Sequence, residues 1–406
     1  MERRRFLSLL GALPLAAAGA SRAQAAALAD AQAVAFGCTP DAASANVLGE
    51  WWRRTLVLVE LEGGNDGLNT VVPFADAAYY RLRPKLAIKR ERVIQADERL
   101  GFNAALEPLM PWWRRCQMAV VLGVGYPQPN LSHFRSVEIW ETASESEEYL
   151  DSGWVAQLFA ERPLREALAA DGIILGRNQA GPLFGPGFRA VSLNNFADAA
   201  KQAKRMKDLV LATPNPALAH VVRVQSDLRR AAERILEKGF DTIDAGASFA
   251  ATPFGRQLEI AARLLRAGVA APVIKISIGS FDNHANQART HQGLLEQLAS
   301  GLAAFAHSME TAGLWDRVLV MTYSEFGRRA GENGSAGTDH GTAAPHLMMG
   351  GRIRGGFYGE QPPLDGLADG NLAHRVHFRR LYATVAREWW GLEAPAIAER
   401  PLGCIA

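Results

Sequence analysis

Five short polar segments carry residue types that can do chemistry together. EGGNDGLN (62–69) sets Asn65 and Asp66 behind two glycines, and PQPNLSHFR (127–135) holds Ser132, His133 and Arg135. FDNHANQ (281–287) places Asp282 and His284 two apart, with His291 further on. YSEFGR (323–328) holds Glu325 and Arg328, and the glycine-rich GENGSAGTDHGT (331–342) contains Asp339 and His340. Carboxylates are hard oxygen ligands and imidazole is a borderline nitrogen ligand, so the mixture suits a divalent cation such as Zn²⁺, Mn²⁺, Mg²⁺ or Ca²⁺. One or two such ions would polarise a phosphoryl or sulfuryl oxygen and lower the pKa of Ser132 or of a water. Arg328 and Arg135 can pair with these carboxylates or hold an anionic group.

Taken singly, each segment also has a plainer explanation. A GGND turn commonly uses Asn and Asp only to close a loop, with glycines supplying positive φ. Ser132 stands near the start of an expected helix running through Trp140, where it can cap the backbone or sit beside an anion held by the free N–H groups. His133 is either a ligand or a loop residue, and FDNHANQ can be a solvated loop. His346 falls inside an apolar run and is expected as a buried, satisfied histidine. The pairs Trp51-Trp52, Trp112-Trp113 and Trp389-Trp390 lie beside apolar helical stretches and are expected in the core rather than stacking on sugars.

Joint weight comes from the elements that must position these residues. Apolar runs at 56–61, 118–125, 172–175, 273–278, 318–322 and 347–349 are four to eight residues long in most cases and bounded by Gly, Asn, Asp or Ser. Such runs are expected to be buried strands of a parallel sheet. Helical spacing of apolar residues occupies 196–238, 256–266 and 293–311. Alternating strands and helices predict an α/β fold: a doubly wound, mostly parallel sheet with helices on both faces, whose ligands lie beyond the carboxyl ends of the strands. The five polar segments adjoin strand ends, so they are expected to converge. Residues 51–406 are expected to form this domain, with a mainly helical insertion, a cap, at about 140–260.

The N-terminus predicts a compartment. Arg3 and Arg4 precede one residue and then Phe6 and Leu7, an apolar run extends to Ala20, and Ala23-Gln24-Ala25 fits a small-x-small cleavage site. Residues 1–25 therefore look like a removable twin-arginine signal peptide, followed by an Ala-rich linker or loose segment at 26–50. The expected destination is the periplasm or the exterior, with the twin-arginine translocase as partner during export. The formal net charge of the 406-residue chain is +2. Removing the four arginines and one glutamate of the leader leaves 40 basic and 41 acidic residues, so nothing electrostatic points to nucleic acid. No transmembrane span is expected in the mature chain. A hydrophobic fraction of 48% against 21% charged supports a large core and rules out a disordered chain. Three cysteines without a CxxC pair allow one disulfide at most and argue against a cysteine-based zinc site.

The segments GGNDGLNTVVP (63–73), LSHFRSVEIWET (131–142), FDNHANQ (281–287), YSEFGR (323–328) and GTDHGTAAPHLMMGG (337–351), together with the leader, resemble the bacterial DUF1501 family. That family is grouped by similarity with the alkaline phosphatase-like superfamily of phosphatases, sulfatases and cofactor-independent phosphoglycerate mutases. The resemblance implies a metal-bearing α/β sandwich. It implies Asp66 as the metal aspartate after the first strand, Ser132 as the nucleophile at a helix N-terminus, and Asp282 with His284 as a ligand pair. It further implies His340 as the final metal histidine, with Asp339 as an added ligand or its partner. Two departures stand out: one residue rather than three separates Asp282 from His284, and Glu325 at its strand end is followed by Phe326 rather than histidine. The expected activity is hydrolysis of a phosphate or sulfate ester of a small molecule or glycan. Asp66, Asp282, His284, Glu325, Asp339 and His340 would bind metal, Ser132 would attack, and Arg328 and Arg135 would stabilise charge. The alternative is a degenerate, non-catalytic member that binds an anionic glycan or envelope component.

Overall fold

A computed structural model describes residues 51–160, 168–177, 179–193 and 215–406. The expected signal peptide, the linker and much of the helical run beginning at 196 lie outside these residues.

Nine strands form the main sheet among the described residues. In chain order they are β1 (Thr55–Leu61), β2 (Met118–Gly125), β3 (Gly172–Ile174), β4 (Ala190–Ser192), β5 (Val273–Ile278), β6 (Val318–Tyr323), β7 (Ala344–Met349), β8 (Gly356–Tyr358) and β9 (Val376–His377). Across the sheet the order is β8-β2-β7-β6-β1-β5-β3-β4, with β9 also paired to β2. The runs rich in Val, Ile and Leu extend because branched side chains pack well on a pleated surface. All seven residues of β1 are buried, as befits a central strand covered on both faces.

Those two faces feed two cores. Val57, Val59, Ile274 and Ile276 point to one, with Leu298, Leu302 and Phe305. Leu56, Leu58, Leu319 and Met321 point to the other, with Trp140, Trp154 and Tyr382. The period of two along the strands thus meets a three-to-four spacing on the helices. Those labelled here are α1 (His133–Thr142), α2 (Pro216–Glu237), α3 (Pro253–Arg266) and α4 (Gln287–Thr311). Each fully buried Leu, Ile or Phe contributes about 1.5–3 kcal/mol by leaving water. Trp112, Trp389 and Trp390 are buried in these cores, and Trp113 packs edge-on against Phe102, so these tryptophans serve packing.

The expected strand at 172–175 is β3, and with β4 it extends the sheet beyond β5. One detail goes beyond the sequence expectation: β7 runs antiparallel to both β6 and β2, while the other pairings in the main sheet are parallel. No described helix is long and apolar enough to cross a membrane.

Candidate metal centre

The reversed strand decides where the site is. Chain leaving β1, β2, β5 and β6 emerges at one edge of the sheet. Because β7 runs the other way, the chain entering it, 339–343, lies at that same edge. A two-residue antiparallel ladder then pairs Arg328 with His340 and Gly327 with Gly341. Gly63 lets the first loop close against the third. Its φ is +107°, and a Cβ there would sit 2.5 Å from the backbone nitrogen of Asp282.

His133, Asp282 and His340 bring one ligand atom each to within 4.8 Å of one another. His133 opens α1, with Ser132 as its N-cap in extended conformation. Its Nδ1 lies 2.9 Å from Glu325 Oε1, and its Nε2 lies 3.3 Å from Asp282 Oδ2. His340 repeats the arrangement, with Nδ1 2.9 Å from the Leu131 carbonyl and Nε2 3.1 Å from Asp282 Oδ1. An imidazole that donates from Nδ1 to a carboxylate or carbonyl keeps its lone pair on Nε2. Both rings therefore turn their acceptor nitrogen toward one carboxylate. This N₂O donor set fits a borderline cation such as Zn²⁺, whose three-protein-ligand sites leave a position open.

His284 and Asp339 flank the three. His284 Nε2 is 2.8 Å from Asp282 Oδ1 and 3.1 Å from His340 Nε2, and its Nδ1 is 3.5 Å from Asp339 Oδ1. Partial burial pushes the Asp282 carboxyl up. The hydrogen bond and charge of Arg328, with the neighbouring imidazoles of His340 and His284, outweigh it and bring the pKa down to about 2. Asp339 is held below the usual carboxylate range chiefly by its hydrogen bond from Asn333.

Several expected site residues are engaged by other groups of the protein. Glu325 is 4% exposed, and its Oε1 accepts from the Gly63 backbone N–H at 2.8 Å as well as facing His133 Nδ1. It thus touches the far side of the imidazole that faces Asp282. Arg328 was expected to meet the transferred group, but its side chain is buried. It donates to the carbonyls of Gly63, Gly64, Phe281 and Thr338 and, at 2.6 Å, to Asp282. It braces the loops behind the centre. Arg135 turns the other way, donating to carbonyls at Glu145, Ser146 and Glu148 and pairing with Glu138 at 2.9 Å. Its guanidinium lies 4.0 Å over the Tyr149 ring, so it organises the loop after α1. Asp66 is buried in an ion pair with Arg83, 2.7 Å away, and accepts from Gln287.

Ser132 is exposed, and its side chain makes no capping hydrogen bond. His291 is buried against Asn65 Oδ1 at 2.9 Å, and burial lowers its pKa to about 4. His346 is buried as expected, though its Nδ1 finds no partner, and burial brings its pKa to about 3.

The member of this cluster that the sequence left open is His133. The available signal was its place directly after Ser132 at the helix start, but spacing alone does not say which of two neighbours faces the centre. The pairing with Glu325 predicts a graded result. Glu325→Ala should weaken metal binding by about 10- to 100-fold, and Glu325→Gln, which keeps a carbonyl oxygen for His133, should recover part of it. Competition titration with a chelating dye measures this; equal affinity in all three proteins would remove Glu325 from this role.

His133, Asp282 and Glu325 also form part of the wall of a cavity of about 780 Å³ between the start of β1's loop, α1 and the segment 150–153.

A model of the family described as protein of unknown function (DUF1501) matches residues 113–393. No curated protein matches the chain. Among solved structures, the lipoteichoic acid synthase LtaP from Listeria monocytogenes is similar at 11% identity, over 89% of this chain and 78% of that one, with a TM-score of 0.39. The C-terminal periplasmic domain of EcEptC from Escherichia coli, in complex with Zn, is similar at 9% identity, over 73% of this chain and 72% of that one, with a TM-score of 0.35. A protein in the alkaline phosphatase superfamily from Vibrio parahaemolyticus is similar at 13% identity, over 75% and 62% respectively, with a TM-score of 0.32.

Proposed function

The chain belongs to the DUF1501 family, whose description assigns no activity, and from its site we propose an exported, metal-dependent hydrolase of a phosphate or sulfate ester. The observation that carries this reading is the convergence of His133, Asp282 and His340 within 4.8 Å, the first two at the wall of a large cavity. Nε2 of each of these histidines and the Asp282 carboxylate would hold the ion, and His284 stands next to them as a further donor. A divalent ion there would supply Lewis acidity toward an ester oxygen and lower the pKa of a nearby water.

Ser132 is our nucleophile. It begins a ten-residue helix, so the free N–H groups and the positive end of the dipole favour a transferred anionic group beside it. Its Oγ is not engaged in capping. Neither Arg328 nor Arg135 is assigned to the transferred group, because their donors are committed to carbonyls and carboxylates of the protein. The Arg3-Arg4-x-Phe6-Leu7 pattern supports export through the twin-arginine route.

The test is direct. Folded protein is recovered from fractionated cells, its metal is measured by mass spectrometry, and it is assayed on p-nitrophenyl phosphate and p-nitrophenyl sulfate. We expect it in the exported fraction, carrying metal and turning over one of the two. Ser132→Ala should lower turnover by about 10³-fold or more while metal content stays the same. Unchanged turnover would remove Ser132 from the mechanism. A chain that holds no metal after reloading with Zn²⁺, Mn²⁺, Mg²⁺ and Ca²⁺ would end the hydrolase reading.

A further inference from the structure

The cavity beside the candidate centre has walls of an unusual kind. Five large hydrophobic side chains are exposed among the described residues, and two of them, Phe134 at 92% and Phe184 at 59%, line this one cavity. Leaving aromatic faces in water is unfavourable unless something covers them, and their concentration in one place marks a binding surface.

The polar part of the wall is acidic. Glu62, Glu138, Glu141 and Asp151 line it together with Asp282 and Glu325, Arg177 is the one arginine or lysine among its described residues, and Glu138 is paired with Arg135. Arg177 is already paired with Glu62 at 2.9 Å. Lys275, beneath the floor, lies 2.8 Å from Glu60 and donates to the Gln179 carbonyl, while Glu141 Oε1 is 3.8 Å away. That Glu141 oxygen is buried and has no hydrogen-bond partner. Burial drives the Glu141 carboxyl up to about 7. Lys275 works against this, and the charges of Glu60, Glu325 and Glu138 add to it. The Glu141 carboxyl is thus a buried group at the cavity wall whose charged form a cation would stabilise.

Aromatic faces beside a buried carboxyl with an unpartnered oxygen make an environment that recognises an organic cation. An anion or a plain sugar would use the aromatic faces but would leave the Glu141 carboxyl without a counter-charge.

We infer that this cavity takes the ammonium end of the substrate, so that the ester hydrolysed at the neighbouring centre is zwitterionic, a phosphate or sulfate ester of an amino alcohol. The inference rests on the hydrolase reading for the ester end only. The ammonium end can be tested without turnover.

Choline serves as the probe, and 3,3-dimethylbutan-1-ol as its neutral counterpart of the same shape. Each is titrated calorimetrically into the full-length protein. We expect saturable choline binding, with the neutral counterpart at least about tenfold weaker, as loss of a desolvated cation–π and carboxylate contact implies. Phe184→Ala and Glu141→Gln should each weaken choline by a similar factor. Phe184 is exposed, so its removal leaves the core intact. Equal binding of the two probes, no saturation with choline, or binding untouched by both variants would overturn the inference. Failure here alongside turnover of p-nitrophenyl phosphate or sulfate would leave the hydrolase reading standing. Choline binding by a chain that turns over neither ester and holds no metal would do the reverse.

Discussion

Replacing Asp282 with asparagine is expected to empty the candidate centre of metal. The Asp282 carboxylate is the one group that every nearby cation and imidazole faces. Oδ1 lies 2.6 Å from Arg328 Nη2, 2.8 Å from His284 Nε2 and 3.1 Å from His340 Nε2, and Oδ2 lies 3.3 Å from His133 Nε2. An asparagine keeps one acceptor oxygen but turns an N–H₂ group toward the rest and carries no charge. Residues that merely orient metal ligands are worth about 10- to 100-fold in affinity, so loss of the shared ligand should exceed that. Turnover should fall with it.

Stability should fall less than the burial of Arg328 alone would suggest. That guanidinium loses its carboxylate but keeps four carbonyl acceptors. The expected loss is therefore about 1–3 kcal/mol, below that for a buried ion wholly stranded. The sign with pH follows from the depressed carboxyl. Its contribution is fully present above the ordinary carboxylate value of about 3.9 and is lost as pH falls through about 2. Metal content per folded chain and urea unfolding measure the two effects separately. Metal retained at full stoichiometry in the variant would move the centre elsewhere.

Asp66→Asn should behave in the opposite way, with a large loss of stability and no loss of metal per folded chain. Asp66 and Arg83 are both buried, 2.7 Å apart. Burial raises the Asp66 carboxyl. The charge and hydrogen bond of Arg83, with His291 and Gln287, overcome this and hold it below its ordinary value. The other Arg83 donors go to the carbonyls of Ala330 and Arg329 and to Asn69. This ion pair thus ties the loop after β1 to the segment after Arg328. Neutralising one partner leaves the other charged in a site without water, at a cost of about 3–5 kcal/mol. Equilibrium unfolding and metal analysis of the same preparation give the answer. Unchanged stability with metal lost would return Asp66 to the ligand set, where its unpartnered Oδ1 would be the ligating atom.

Much of the fold was legible in the sequence because burial leaves a local pattern. The runs at 56–61, 118–125 and 273–278 coincide closely with β1, β2 and β5, and the helical spacing at 256–266 and 293–311 falls within α3 and α4. Apolar period and flanking turn residues suffice for that, since each is set by what a residue's own neighbours do. Part of the cluster was legible too. Asp282 and His340 follow or precede apolar runs, and residues at strand ends of such a sheet collect at an edge.

Tertiary structure alone decided the rest. The Ala344–Met349 run reads the same in either direction, so its pattern could not announce that β7 is antiparallel. That reversal is what carries His340 to the edge where β5 delivers Asp282. Nor could spacing choose His133 over its neighbour Ser132 as the residue facing Asp282, or show that Glu325 would meet His133 from 192 positions away. The same holds for Arg328, which looked free to bind an anion until the loops packed around it and used all its donors. A sequence records which side chains must leave water and which can bind a cation. The partner each one meets depends on strand direction and on contacts between distant segments, which hydrophobic pattern leaves degenerate.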